Sequence, residues 1–185
     1  MTQSPHLSLE ELQAALEHIR ASPRETGRLE WIARRPSVDA RETLTEGQLD
    51  LDGGLAGDGW QGRRSPGESA ESHLNRQVTL MNARVIALLA QSRERWALAG
   101  DQLYVDFDLG LENLPPGTRI EIGAAVVEVT AQPHTGCKKF SERFGLDAMK
   151  FVNSPEGRAL NLRGINAKVI RPGAIRVGDA VRKIQ

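Results

Sequence analysis

Cys137 is the only cysteine in the chain. It lies inside Pro133-His134-Thr135-Gly136-Cys137-Lys138-Lys139-Phe140. A lone thiol can form neither an internal disulfide nor a Cys-x-x-Cys pair. Three kinds of chemistry remain open to it: nucleophile, sulfur carrier, or thiolate ligand to a metal-containing cofactor. The surroundings are basic, with Lys138, Lys139 and Arg143 following and His134 three residues before. A short helix over 138–144 would put Cys137 at its N-terminal end, where unpaired N–H groups and nearby cations favour the thiolate. The competing reading is a small buried hydrophobe, the usual state of a free cysteine.

Cysteine-hydrolase chemistry needs a base beside the thiol. His134 either fills that role or caps a backbone carbonyl on its turn. No Asp or Asn can be assigned to orient it. Adjacent Lys138 and Lys139 form a solvated face, with at most one pointing at the thiol. His134 and Cys137 also fall short of the four ligands of a structural zinc site, and His6, His18 and His73 stand far off in sequence. The glycines of Gly57-Asp58-Gly59-Trp60-Gln61-Gly62 lack a βαβ context, and no Walker lysine follows, so no nicotinamide or nucleotide fingerprint is present. No cysteine cluster exists for an iron–sulfur centre, and no flavin motif is evident.

The chain has 185 residues, enough for one hydrophobic core. Lys plus Arg and Asp plus Glu number 24 each, giving zero formal charge. That balance argues against nucleic acid as the main partner while leaving room for a local phosphate pocket. No apolar run reaches the ~20 residues a membrane span needs. The first residues lack a signal-peptide pattern, so a cytoplasmic setting is expected.

The elements that must position these side chains are mostly short strands. Ser8 and Glu11 form a capping box for a helix over 8–20, with Leu7 stapling onto Leu12 and an apolar stripe of Leu9, Leu12, Leu16 and Ile19. From Gly27 the pattern alternates through Leu29, Trp31 and Ala33, predicting a strand that ends at Pro36. Residues 52–67 are too rich in glycine for a helix or long strand and form either a disordered tip or a functional loop. Gln77–Leu80 and Leu103–Phe107 predict strands, and Asn82 caps a helix through Val85, Ile86 and Leu89. Two proline–glycine phrases, at Pro116-Gly117 and Pro172-Gly173, each feed a strand, a glycine and a second strand, which suggests barrel wall segments. Residues 138–153 predict one or two short helices broken at Gly145.

Taken together, several stretches resemble a stand-alone MOSC domain, the C-terminal domain of molybdenum cofactor sulfurases. They are the Pro133–Phe140 phrase, Arg143-Phe144-Gly145, Leu162-Arg163-Gly164-Ile165-Asn166, Gly173 to Asp179, Gly54-Leu55-Ala56-Gly57-Asp58 and Arg76-Gln77-Val78-Thr79-Leu80. Asp101-Gln102 stand where the family usually has glutamate and asparagine. The resemblance covers roughly residues 27–184.

It implies a mainly β fold: one β-barrel domain over 27–185, with peripheral helices and an N-terminal helical extension over 1–26. It also implies a molybdenum–pterin cofactor, with Cys137 carrying sulfur as a persulfide or ligating molybdenum. In that reading Arg76, Arg163 and Lys138 are candidates for the pterin phosphate, and Asp58 and Asp101 for polar contacts at the site. Some relatives reduce N-hydroxylated bases, so the alternatives are sulfur transfer, cofactor-dependent reduction, or a non-catalytic domain with a buried cysteine. The partner would be a sulfur donor or an external electron-transfer protein. The sequence leaves the oligomeric state open.

Overall fold

The computed structural model describes residues 6–184. Its frame is an eight-stranded sheet that closes on itself. The wall runs in the order β11 (Ala180–Ile184), β7 (Arg119–Ile122), β8 (Ala125–Val129), β9 (Ile165–Arg171), β5 (Val78–Asn82), β6 (Leu103–Asp106) and β1 (Thr26–Arg34). β1 then pairs back to β11, with Thr26 opposite Arg182. Closure leaves no free edge in the wall. The remaining strand, β2 (Glu42–Leu44), extends the sheet beside the far half of β1. Every pairing is antiparallel except β5 with β6, which are joined through α4 (Ala83–Ala90) and a 3₁₀ segment over Arg93–Ala99.

The mainly β barrel expected from sequence is therefore present, with two differences of detail. The alternation in β1 does not hold throughout. A bulge between Leu29 and Trp31 resets the register, so Leu29 and Ile32 face the barrel core while Trp31 and Ala33 face the outer layer. The second proline–glycine phrase also fails as two wall strands. β10 (Gly173–Arg176) leaves the barrel to join β3 (Glu46–Asp50) and β4 (Gly54–Leu55) in a separate sheet. Its Ile175, with Leu49 and Leu55, nevertheless belongs to the same apolar core as Leu80, Val105 and Val127. The small sheet thus packs onto the barrel interior.

A second apolar cluster lies outside the wall, under the helices. It joins Met81 and Tyr104 to Ile86 and Leu89 of α4, and to Phe140, Phe144 and Phe151. Those aromatics come from α5 (Lys138–Phe144) and α6 (Leu146–Asn153), which break at Gly145 as expected. The N-terminal helix has its capping box, but it divides into α1 (Leu9–Ala14) and α2 (Leu16–Arg20), and its Leu12 is completely buried in the outer cluster. Helices are more numerous than the strand pattern suggested. Besides these there are α3 (Ala70–Leu74) and α7 (Pro155–Ala159), capped by Ser69 and Ser154.

Residues 52–67 form an ordered loop rather than a frayed tip. β4 and a 3₁₀ turn over Gln61–Arg63 interrupt it. The Asp58 carboxylate at its centre is fully buried.

Candidate functional site

Three segments converge beside the start of α5. The first is the strand-to-helix loop 130–137. Asn166 on β9 donates to the carbonyls of Gln132 and Pro133. Asn153, at the end of α6, brackets Gly136, accepting its N–H at 2.9 Å and donating to its carbonyl at 3.1 Å. Two asparagine side chains therefore fix the backbone that delivers Cys137. Cys137 is the N-cap residue of α5, and its thiol is exposed. The buried-hydrophobe reading does not hold.

The second segment is the Arg163–Gly164 turn ahead of β9. Gly164 adopts φ +111°, and a Cβ there would sit 2.3 Å from the Leu80 carbonyl and 3.3 Å from His134 Nδ1. Only glycine lets the turn approach both. Arg163 beside it is buried and donates to Asp101 Oδ2 at 2.6 Å and to the Ala99 carbonyl at 2.9 Å. Its guanidinium lies 5.0 Å from the Phe140 ring centre, which ties α5 to this pair.

His134 completes the group, with Nδ1 3.4 Å from Asp101 Oδ1. Asp101 is fully buried and places a carboxylate beside His134 that sequence alone could not assign to it, without a hydrogen bond between them. Burial, and then the Arg163 charge, push the His134 pKa down to about 3, against the opposing pull of Asp101. The imidazole is therefore neutral at neutral pH, and weakly basic. Asp101 Oδ1, His134 Nδ1 and Arg163 Nε are buried without a hydrogen-bond partner.

This shift has a consequence for stability. The unfolded chain takes up a proton on His134 below its ordinary value of 6.5, while the folded protein stays neutral down to about 3. The contribution of this group is complete above pH 6.5 and is lost as pH falls towards 3, by at most about 1.4 kcal/mol per pH unit. Buried His73 is shifted in the same direction, chiefly by burial. Urea unfolding between pH 7 and pH 5 should show stability falling with acid. His134→Asn should flatten part of that slope; an unchanged slope would contradict the neutral, buried imidazole.

The third segment, residues 35–41, carries arginines. Arg35 grips Asp58 through its guanidinium, its backbone N–H bonds the same carboxylate, and it donates to the Gly100 carbonyl. Asp58 thus locks the glycine-rich loop to the end of β1 instead of bonding its own turn. Arg41 donates to the carbonyls of Ala97 and Ala40, and Arg63 to those of Arg35 and Ser37. Among the described residues neither has a carboxylate in ion-pair range. Burial, then repulsion from Arg143, Arg35 and Arg63, lowers the pKa of Arg41, and burial followed by Arg35, against the pull of Asp58, lowers that of Arg63. Crowded cations that outnumber their carboxylates favour an anion nearby. The cluster borders α5, since Asp39 in this loop lies 3.5 Å from Lys139 and 3.8 Å from Arg143.

The structure therefore brings together His134, Arg163 and Asp101, and Cys137 joins them only through α5, whose Phe140 ring lies against Arg163. Arg76 lies apart, doubly bonded to Glu68, whose pKa its hydrogen bonds hold down at about 2. Lys138 projects into solvent, 3.9 Å from Glu142. Sequence reasoning missed Arg35, Arg41 and Arg63 as cations. The Arg34-Arg35-Pro36 strand end was the one local signal, but their convergence depends on the fold. A cavity of about 270 Å³ is lined by His134, Arg163, Asn166 and residues of α7.

A closed, strand-rich barrel with helices on its outside and a single exposed thiol at a helix N-cap defines the class. The MOSC domain profile matches residues 68–182, and the chain belongs to that family. Among solved structures it is similar to the YUAD protein from Bacillus subtilis, at 20% identity and TM-score 0.62 over 86% of this chain and 97% of that one. It also resembles YiiM from Escherichia coli, at 20% identity and TM-score 0.54 over 85% of this chain and 70% of that one. YiiM from Geobacillus stearothermophilus matches at 13% identity and TM-score 0.52, over 89% and 75% of the two chains. These likenesses speak for the fold. No curated protein sequence gives a significant match. No helix among the described residues is long and apolar enough to cross a membrane.

Proposed function

We propose that the chain binds a molybdenum–pterin cofactor, with Cys137 as the protein's thiolate to the metal or as the acceptor of a sulfur atom. The observation that carries this reading is the exposed Cys137 thiol at the head of a helix that abuts uncompensated arginines. Among the described residues no group of three or more His, Cys, Asp or Glu side chains could hold a metal. A bare ion therefore finds no cage, whereas a metal that brings its own sulfur chelate needs little more than one soft thiolate. The donor set fits such a group.

When bound, the cofactor would supply a redox-active metal or a transferable sulfur. The residues of this chain then have separable tasks. Cys137 presents its sulfur from a backbone that Asn153 holds still. Arg41 and Arg63 take the phosphate, in place of Arg76, whose charge Glu68 neutralises, and of Lys138, which faces water. Arg163 and Asp101 compensate one another and hold His134 as a neutral hydrogen-bonding group. Asp58 acts on Arg35, and so shapes the arginine loop. A cytoplasmic setting and a sulfur-donor or electron-transfer partner belong to the same proposal.

The cavity beside His134 favours a second reading, reduction of an N-hydroxylated compound. Two electrons from an external protein and two protons would cleave the N–O bond, releasing water and the amine.

Removing the two arginines that meet only backbone carbonyls tests the phosphate assignment. Arg41→Ala with Arg63→Ala should cut pterin retention at least about tenfold, with the thermal midpoint held or raised because mutual repulsion is relieved. Full retention by this variant, measured as pterin fluorescence after release, would contradict it.

A further inference from the structure

The cavity between α7 and the 130–135 loop has a character of its own. Its volume of about 270 Å³ falls just under the usual ~300–1,000 Å³ of small-molecule sites. That is room for one compact ring system and a short tail. Leu114, Val129, Val152 and Ile165 give it apolar walls. Among its polar lining residues are His134 and two arginines, Arg158 and Arg163.

His134 supplies an acceptor. Its Nδ1 is buried against Asp101, so the carboxylate draws the imidazole proton to that nitrogen. His134 lines the cavity, and among the described residues its Nε2 has no hydrogen-bond partner, which leaves that lone pair available to a ligand donor. Low basicity keeps this edge an acceptor at neutral pH. Arg158, on α7, supplies a charge. It lines the cavity and is exposed, and among the described residues its guanidinium has neither a hydrogen bond nor a carboxylate in ion-pair range. Arg163, another lining residue, is buried with its Nε unbonded. An apolar slot with an acceptor in its wall and an unpaired cation at its lining selects a flat molecule with a donor on the ring and an anionic tail.

We propose that this cavity binds a small planar carboxylate whose ring N–H donates to His134 Nε2 and whose carboxylate pairs with Arg158. Its meaning as a substrate site rests on the proposed function, but binding itself needs neither molybdenum nor Cys137. A ligand without the ring donor would leave Nε2 desolvated and unpaired, which lowers affinity about tenfold. Loss of the Arg158 charge should weaken binding by a similar factor.

The probe is indole-3-acetate, titrated into the cofactor-free full chain and followed by nitrogen-15 amide shifts. The expected result is saturation with Kd below about 1 mM and shifts centred on Val129, His134 and Ile165. N-methylindole-3-acetate and the Arg158→Ala variant should each bind about tenfold more weakly, and Cys137→Ser should bind as the parent does. No saturation by about 5 mM, or equal affinity for both probes and both arginine forms, overturns the inference. Protein that binds the probe but never carries molybdenum contradicts the proposed function alone. Molybdenum-loaded protein that ignores the probe contradicts this inference alone.

Discussion

Replacing Asp101 with alanine should cost about 3–5 kcal/mol of folding stability, the usual penalty for stranding one member of a buried ion pair. Asp101 has no solvent exposure, and it is the carboxylate bonded to the enclosed Arg163 guanidinium. Without it, the charge would remain under Phe140 with only the Ala99 carbonyl as a hydrogen-bond acceptor. His134 would lose the carboxylate beside its Nδ1. The penalty belongs to the stranded charge rather than to the lost contact, so Arg163→Met added to Asp101→Ala should recover much of it. Urea unfolding at pH 7 of the parent, the single variant and the double variant separates these cases. A single-variant loss under about 1 kcal/mol would show that the pair is not enclosed as described.

Cys137→Ser should act in the opposite manner, sparing the fold and removing the chemistry. The side chain is exposed, and the N-cap makes no side-chain hydrogen bond that serine would lose. Serine is in fact a favoured N-cap residue, so the thermal midpoint should hold or rise slightly. Its hydroxyl is a harder donor than a thiolate and cannot form a persulfide. Molybdenum content should therefore fall at least about tenfold, and the mass increase of an added sulfur should vanish from the intact protein. A large loss of stability with unchanged molybdenum would make Cys137 a structural residue after all.

The wall strands were legible because a barrel with one apolar face imposes period two on its strands. The helix ends at Ser8, Asn82 and Gly145 carried local capping or breaking signals. Ser154-Pro155-Glu156, a cap followed by proline at the first helical position, was an equally local signal for α7. The bulge in β1 was not legible, because its apolar residues face two different cores. The departure of β10 was hidden for a related reason: Ile175 is buried whether its strand lies in the wall or beside it.

At the site, sequence picked out Cys137, His134, Arg163 and Asp101, each inside a recognisable phrase. It could not show that Asp101 lies between the other two polar side chains, 33 and 62 residues away along the chain. Charge counting failed in a different way. A net charge of zero concealed that Arg76 is paired while Arg41 and Arg63 meet only carbonyls.

The central claim is that the chain holds a molybdenum–pterin group through Cys137. Its most direct test is the molar ratio of molybdenum and of pterin to protein, measured by elemental mass spectrometry and pterin fluorescence. Parent and Cys137→Ser proteins should be purified side by side from cells that make the cofactor. The predicted result is molybdenum and pterin in equal amounts, approaching one per chain in the parent and nearly absent from the variant. Parent protein that carries neither, or a variant that carries both as fully as the parent, would contradict it.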